Sequence, residues 1–274
     1  MEIDQITDNL ILRDDNIWHS KFDSVISYPD DGNEICFQVE DQSFWFNHRN
    51  RIIVKAIQRF PPNGVVFDVG GGNGFVSLAL CNAGIEAVLL EPGTRGIINA
   101  RERGIRQIIH STLEDAGFKK QSIPAVGMFD VLEHIQDDIG FLKTLHYLMV
   151  PYGRLYITVP AHQGLWSVVD EDSGHYRRYG IELLKDVLSR GGFDVEFASY
   201  FFSPLLLPIF LFRTLLSRTG HRKGGELDHC RGELAHPSPL LNSILIKILS
   251  FETVLLNKMR IPFGASLIVV AQCN

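Results

Sequence analysis

The sequence predicts an α/β protein built on an open, largely parallel sheet, and three observations carry that prediction. Residues 65–69 place four apolar side chains around Asp68, which reads as a short buried strand. A turn with Gly70, Gly71, Gly72 and Gly74 follows at once, where backbone can approach a ligand closely. Residues 75–80 then open an apolar helix, so strand, glycine turn and helix start stand in the order used for nucleotide binding.

The glycine spacing discriminates between ligands. A dinucleotide fingerprint needs G-x-G-x-x-G. From Gly70 its third glycine would fall on Phe75, from Gly72 on Ser77, and from Gly71 its second would fall on Asn73. What fits is D-x-G-x-G-x-G, as Asp68, Gly70, Gly72 and Gly74. This spacing resembles the first motif of the class I S-adenosylmethionine-dependent methyltransferases, and excludes an NAD(P) dehydrogenase.

Composition sets the bounds. The chain has 274 residues, which predicts one large domain, or one domain plus a cap. A hydrophobic fraction of 45% and a charged fraction of 21% describe a globular chain. A net charge of −6 argues against a nucleic-acid binder. Cys36, Cys81, Cys230 and Cys273 are widely spaced, which suits a reduced, cytoplasmic protein. Residues 1–4 carry no apolar run, so no signal peptide is expected.

Taken in order, residues 1–50 read as an irregular or β-containing lid. Residues 28–33 are turn chemistry, and 35–39 are a short apolar run. Phe44, Trp45 and Phe46 beside Arg49 and Arg51 lead into a helix over 52–57. The aromatics either cover a cofactor or acceptor, or staple that helix. The second strand, 87–90, ends at Glu91-Pro92; an acid there can accept hydrogen bonds from both ribose hydroxyls. Residues 106–110 form strand three, and 125–130 strand four, followed by Leu132-Glu133-His134. Glu133 reads as an acid complementing a helix N-terminus. A helix over 141–148, a turn at 151–153 and strand five at 154–160 come next. The loop 161–179 is rich in His, Trp, Asp, Tyr and Arg, and loops of that length are usually functional. A helix over 181–189, strand six over 191–198 and a last strand over 265–271 complete the sheet.

The methyltransferase resemblance covers roughly residues 60–200 and the last strand. It implies a Rossmann-like seven-stranded sheet with an antiparallel last strand and helices on both faces. The domain division would be a lid at 1–50, a core at 51–199 plus 261–274, and an apolar helical insertion at 200–260. The implied cofactor is S-adenosylmethionine, leaving as S-adenosylhomocysteine. Its implied contacts are Asp68, Gly70, Gly72, Gly74, Glu91, Pro92, Thr112, Leu113 and Asp130. At Thr112 the sequence departs from the family's usual aspartate. His134 and His175 are the candidate bases, since imidazole suits proton removal from an oxygen or nitrogen acceptor. Trp45, Phe46, Tyr176 and Arg177 are the candidate acceptor contacts. The alternative for residues 175–179 is a loop that ties the next helix to the sheet.

The implied activity is methyl transfer to a small-molecule O or N acceptor, quinone- or sugar-like, with no metal. The alternative is a non-catalytic scaffold of the same fold that binds a partner through the insertion. Three readings of 200–260 stay open: a cap over the acceptor, a homodimer interface, or a peripheral membrane contact. Neither apolar run in it, 204–212 or 240–249, is read as spanning a bilayer. His221, His229, Cys230 and His236 lack metal-ligand spacing.

Overall fold

A computed structural model describes residues 2–22, 30–215 and 239–274. The strands are β1 (Leu10–Leu12), β2 (Trp18–Ser20), β3 (Val66–Val69), β4 (Ala87–Leu90), β5 (Ile108–His110), β6 (Ile123–Phe129), β7 (Met149–Pro160), β8 (Phe193–Phe201) and β9 (Ser266–Cys273). Among the described residues they form one sheet in the order β1-β2-β5-β4-β3-β6-β7-β9-β8. Strands β5, β4, β3, β6 and β7 run parallel. The last strand, β9, lies antiparallel between β7 and β8, as expected.

Two strands exceed the expected seven. β1 and β2 form an antiparallel hairpin, and β2 adds parallel to β5 at the sheet edge. The hairpin pairs an exposed edge, which a sheet otherwise leaves open. Residues 35–39, read from sequence as a short apolar run in a lid, belong instead to helix α2 (Asp30–Glu40), which also takes in the end of the expected turn at 28–33. The helices before it and after it are α1 (Ile3–Ile6), α3 (Phe44–Arg59), α4 (Phe75–Asn82), α5 (Thr94–Glu102), α6 (Asp138–Leu148), α7 (Val168–Asp172), α8 (Ile181–Arg190), α9 (Leu206–Ile209) and α10 (Pro239–Lys258).

The strands are apolar on both faces, as a covered parallel sheet requires. Period two sends alternate residues to opposite layers. Phe67, Leu155, Ile157 and Val269 pack with Leu142 and Leu145 of α6 and Leu184 and Leu188 of α8. Val66, Tyr156, Ile268 and Val270 pack with Ile53 and Ile57 of α3, Leu80 of α4 and Leu249 and Leu256 of α10.

Two local expectations change. The predicted turn at 151–153 is an irregularity inside one long strand: Met149 pairs with Ile123, but Ala125 pairs with Arg154, and Tyr152 has φ 62°. Helix α6 begins three residues before 141, because the Asp137 side chain accepts the Gly140 N–H and caps it.

Strand β8 runs to Phe201, past the expected start of the insertion at 200, and beyond it residues 203–215 and 239–258 are helical. Helix α10 does not stop at 249: Leu240–Lys258 has a mean hydropathy of 1.5 and is long and apolar enough, by length and composition only, to cross a membrane. This differs from the sequence expectation because the apolar run continues past Ser250. The same helix carries Glu252, which is 2% exposed and accepts from Phe202 N–H, Ser203 N–H and the His48 ring on α3. His221, His229, Cys230 and His236 lie outside the described residues.

Candidate active site

The glycine turn is built from below. Gly70, Gly72 and Gly74 have φ of 67°, 53° and 70°, a region that costs other residues strain. A Cβ on Gly71 would lie 2.4 Å from Leu89 and 2.6 Å from the Asp68 carboxylate, so the turn lies directly on β3 and β4. Among the described residues, a Cβ on Gly72 would instead meet only Asn33 Oδ1 within 4 Å, at an ordinary contact distance of 3.6 Å. That cradle, beside a buried carboxylate, fits the ribose and methionine portion of S-adenosylmethionine.

Asp68 is 1% exposed and accepts the Ser77 hydroxyl at 2.7 Å. Burial pushes its carboxyl up to about 6, against the Ser77 bonds that favour the charged form. It therefore buttresses the start of α4 from beneath the turn. Glu91 is also buried, and its two oxygens accept Gly72 N–H and Gly93 N–H, each at 2.8 Å. One carboxylate thus joins the glycine turn to the loop after β4. The Pro92 carbonyl faces His110 Nε2 at 3.0 Å, and His110 in turn meets His19 of the edge hairpin. Leu113 is buried in the core, and the Thr112 hydroxyl accepts Asp115 N–H at 3.1 Å.

Helix α2 covers this end. Asn73 Nδ2 donates to the Asn33 carbonyl at 2.9 Å, and Arg103 binds Glu40 and Asp41 at 2.8 and 2.9 Å. Asn33, Glu40, Asn73 and Arg103 were not singled out from the sequence. Asn73 fills a variable position of the glycine motif and the other three belong to no motif, so only the fold brings them together.

The other end forms where β6 stops. Asp130 adopts φ 59°, and a Cβ on Gly70 would lie 3.0 Å from Val131, so this turn adjoins the glycine turn. Asp130 accepts from Arg49 at 2.6 Å and from Thr158 at 3.0 Å. Residues 132–134 then make a single 3-10 turn. Glu133 stands in the first turn of this short helix, as an acid complementing a helix N-terminus would, but it is buried. It is 1% exposed, and its Oε2 has no hydrogen-bond partner among the described residues. Burial, and then the neighbouring Asp130, hold its carboxyl well above the usual range.

His134 and His175 come together. Their rings stack edge to face at 4.7 Å. Burial, and then His175, push the His134 imidazole down to about 4, so it is neutral at pH 7. Its ring also bonds to the Gly174 backbone. His175 Nδ1 bonds to Asp170 at 3.0 Å, and Asp170 also accepts Arg178 Nε at 2.6 Å and Ser167 N–H. Burial raises the Asp170 carboxyl, but these bonds outweigh it and hold the group well below the usual range.

Of the other candidate acceptor contacts, Arg177 binds Asp138 and the Gln136 carbonyl, each at 2.6 Å. Tyr176 donates its N–H to the Glu133 carbonyl, and its side chain is 52% exposed. Trp45 stacks on Phe202 at 3.8 Å, and Phe46 is buried with the Arg49 guanidinium over its ring. The loop thus both ties α6 and α8 to the sheet and presents His175 to the turn after β6.

Residues 45–197 match the methyltransferase domain family. No curated protein matches the sequence. Among solved structures, the chain resembles a Thermotoga maritima S-adenosylmethionine-dependent methyltransferase at 16% identity and TM-score 0.54, covering 89% of this chain and 100% of the other. It also resembles a chain of the Haloferax volcanii complex between the Trm112 methyltransferase activator and a methyltransferase, at 15% identity and TM-score 0.59, covering 91% and 97%. A third is Haemonchus contortus phosphoethanolamine N-methyltransferase 2 bound to S-adenosylmethionine, at 17% identity and TM-score 0.55, covering 89% of this chain and 57% of that one. At these identities the likeness is one of fold, and the family match over more than half of the chain completes the assignment: this chain is a member of the methyltransferase domain family, an S-adenosylmethionine-dependent enzyme of the class I fold.

Proposed function

We propose that the enzyme methylates an oxygen or nitrogen of a small-molecule acceptor seated between the turn 130–134 and the loop 161–179. The observation that carries this reading is the convergence of Glu133, His134 and His175 at the carboxyl end of β6, beside the glycine turn. S-adenosylmethionine supplies a methyl group that is already a strong electrophile. The chain's own work is therefore mostly alignment of the acceptor.

Each residue has a separate task in this reading. Glu91 and the open face of Gly72 receive the ribose. Asp130, oriented by Arg49 and Thr158, faces the ammonium of the methionine portion. His134, held neutral, accepts a hydrogen bond from the acceptor's O–H or N–H. A base this weak is sufficient, because the acceptor's proton becomes strongly acidic as its heteroatom is alkylated. His175 is held on Asp170, which fixes its Nδ1 and leaves Nε2 for the acceptor side.

The exposed apolar faces of α9 and α10 favour a second reading, a scaffold that binds an apolar partner. Two measurements separate them. Calorimetry with S-adenosylmethionine, S-adenosylhomocysteine and NAD should give heat with the sulfur ligands alone. Labelled S-adenosylmethionine offered with quinone, sugar, lipid and small-amine pools should yield a labelled product from one of them. Full turnover in both His134→Ala and His175→Ala would remove the histidines from the chemistry. Binding without turnover in every pool would favour the scaffold.

A further inference from the structure

Glu133, His134 and His175 hold more than an acceptor contact requires. One carboxylate oxygen and two ring nitrogens, one from each residue, all lie within 4.8 Å of one another. Metal–ligand bonds of about 2.1 Å place neighbouring ligand atoms roughly 3.0–3.5 Å apart. The three groups would close onto an ion by movements on the order of 1 Å in side chains at the rim of a turn and a loop.

Three independent features suit an ion better than a hydrogen-bonded cluster. First, Glu133 is 1% exposed, and its Oε2 meets no donor among the described residues. The other oxygen is met by the residue's own backbone N–H, and a buried carboxylate oxygen left without a donor takes a cation or a proton. Second, each imidazole already has an outer partner. His175 Nδ1 is on Asp170 at 3.0 Å, and the His134 ring bonds to the Gly174 backbone. This is the arrangement in which metal-bound histidines are held, one nitrogen on a carboxylate or carbonyl and the other on the metal. Third, Asp170 is fixed by Arg178 and by the Ser167 cap, so the outer shell is rigid.

The geometry points to a divalent transition-metal site with two imidazoles and one carboxylate as protein ligands. Nitrogen-rich ligation of this kind suits zinc, cobalt, iron(II) or manganese(II) rather than calcium or magnesium. Three protein ligands leave coordination positions open. With the ring nitrogens on the ion, the acceptor hydroxyl would bind the metal in place of the histidines and release its proton to water at a lower pH, which prepares an oxygen nucleophile. The site stands on its own geometry; only this use of it rests on the methyl-transfer reading.

The test uses the full chain, treated with EDTA and freed of chelator. Zinc is titrated by calorimetry, and cobalt(II) by its visible absorption. The expected result is one ion per chain, with a cobalt spectrum of four- or five-coordinate nitrogen and oxygen ligation. Glu133→Gln and His175→Ala should each weaken zinc binding by at least 10- to 100-fold, the range set by loss of an outer-shell partner alone. Circular dichroism on the same samples checks that the variants are folded. No uptake by the wild-type chain overturns the site, whatever the variants do. Uptake that survives both substitutions in folded protein overturns it as well. A chain that takes up one zinc through these residues but fails to bind S-adenosylmethionine retains the metal site and loses the functional reading.

Discussion

The two ends of the site are built by different means. At the cofactor end, the contacts beneath the glycine turn join residues close in sequence, Asp68 to Ser77, Gly72 to Glu91 and Glu91 to Gly93, and α2 is laid over them from farther along the chain. Backbone shape is what matters there, and glycine spacing encodes it. At the acceptor end, Arg49 comes from α3, Asp130 and Glu133 from the turn after β6, Thr158 from β7, and Asp170 and His175 from a loop. Charge placed in a low-dielectric setting is what matters there, and no local pattern encodes it. The first end tolerates little change in backbone and the second little change in charge.

The largest effect is expected from Gly72→Val. The residue adopts φ 53°, and its Cβ would enter the open face of the cradle. Backbone strain of about 1–3 kcal/mol adds to direct obstruction. Binding of S-adenosylmethionine should fall by on the order of 100-fold or more, with helix content by circular dichroism unchanged. Retained affinity in the folded variant would show that the ligand does not approach this face.

Glu91→Ala should come next. Its carboxylate holds two loop amides and is placed for ribose hydroxyls. Its loss should weaken binding by about 2 kcal/mol, from the charge-assisted bonds removed. Calorimetry reads this directly, and an unchanged Kd would remove the ribose assignment.

The contrast between the ends explains what was legible. The order of strands and helices followed from apolar runs, and the antiparallel β9 followed from the family resemblance. The glycine turn and Glu91 were legible because each residue type has one geometric reason to stand there. Glu133 was legible as an acid at a helix start but not as a buried one, because sequence gives residue type without burial. Trp45 was legible as an aromatic of consequence, but its partner Phe202 lies across the fold. The edge hairpin was not expected, since three-residue strands carry too few alternations to show a period.

A smaller effect distinguishes stability from binding at Asp68. Its carboxyl is held at about 6 in the folded chain, above an ordinary 3.8. A raised acid favours the folded state below the unfolded value, and that advantage is lost as pH rises through about 6. The wild-type chain should therefore lose stability between pH 4 and pH 6 at this site. Asp68→Asn keeps an acceptor for Ser77 and removes the buried charge. It should be more stable than wild type by about 1–2 kcal/mol at pH 7.5, since an amide N–H without a partner offsets part of the gain. Near pH 4 that gain is absent and the unpartnered N–H remains, so the order should reverse and the variant should be less stable than wild type by about 1–2 kcal/mol. Urea midpoints at the two pH values measure it, and a difference independent of pH would mean that Asp68 does not titrate in the folded chain.

The smallest effect is expected at Thr112, where the two kinds of end meet in one residue. It stands where the resembled family has an aspartate that reads the adenine edge. In the structure its hydroxyl accepts Asp115 N–H at 3.1 Å, the bond by which a Ser, Thr or Asp caps a turn. A hydroxyl has two lone pairs, so capping and adenine contact are compatible in principle. They differ in what Thr112→Val removes. If capping is the whole role, the variant loses about 0.5–1 kcal/mol of stability, and the Kd for S-adenosylmethionine changes by less than about twofold. Thr112→Asp should restore the stability, because a carboxylate caps at least as well. If the hydroxyl also reads the adenine edge, Thr112→Val weakens S-adenosylmethionine several-fold while leaving the methionine portion's contacts intact. Adenosine binds only through that end, so its Kd should shift by the same factor. We expect the first outcome, because Thr112 is fixed by its neighbours in the chain, as the rest of the cofactor end is. Equal weakening of both ligands would instead make Thr112 a specificity residue and extend the ligand contacts beyond the glycine turn and Glu91.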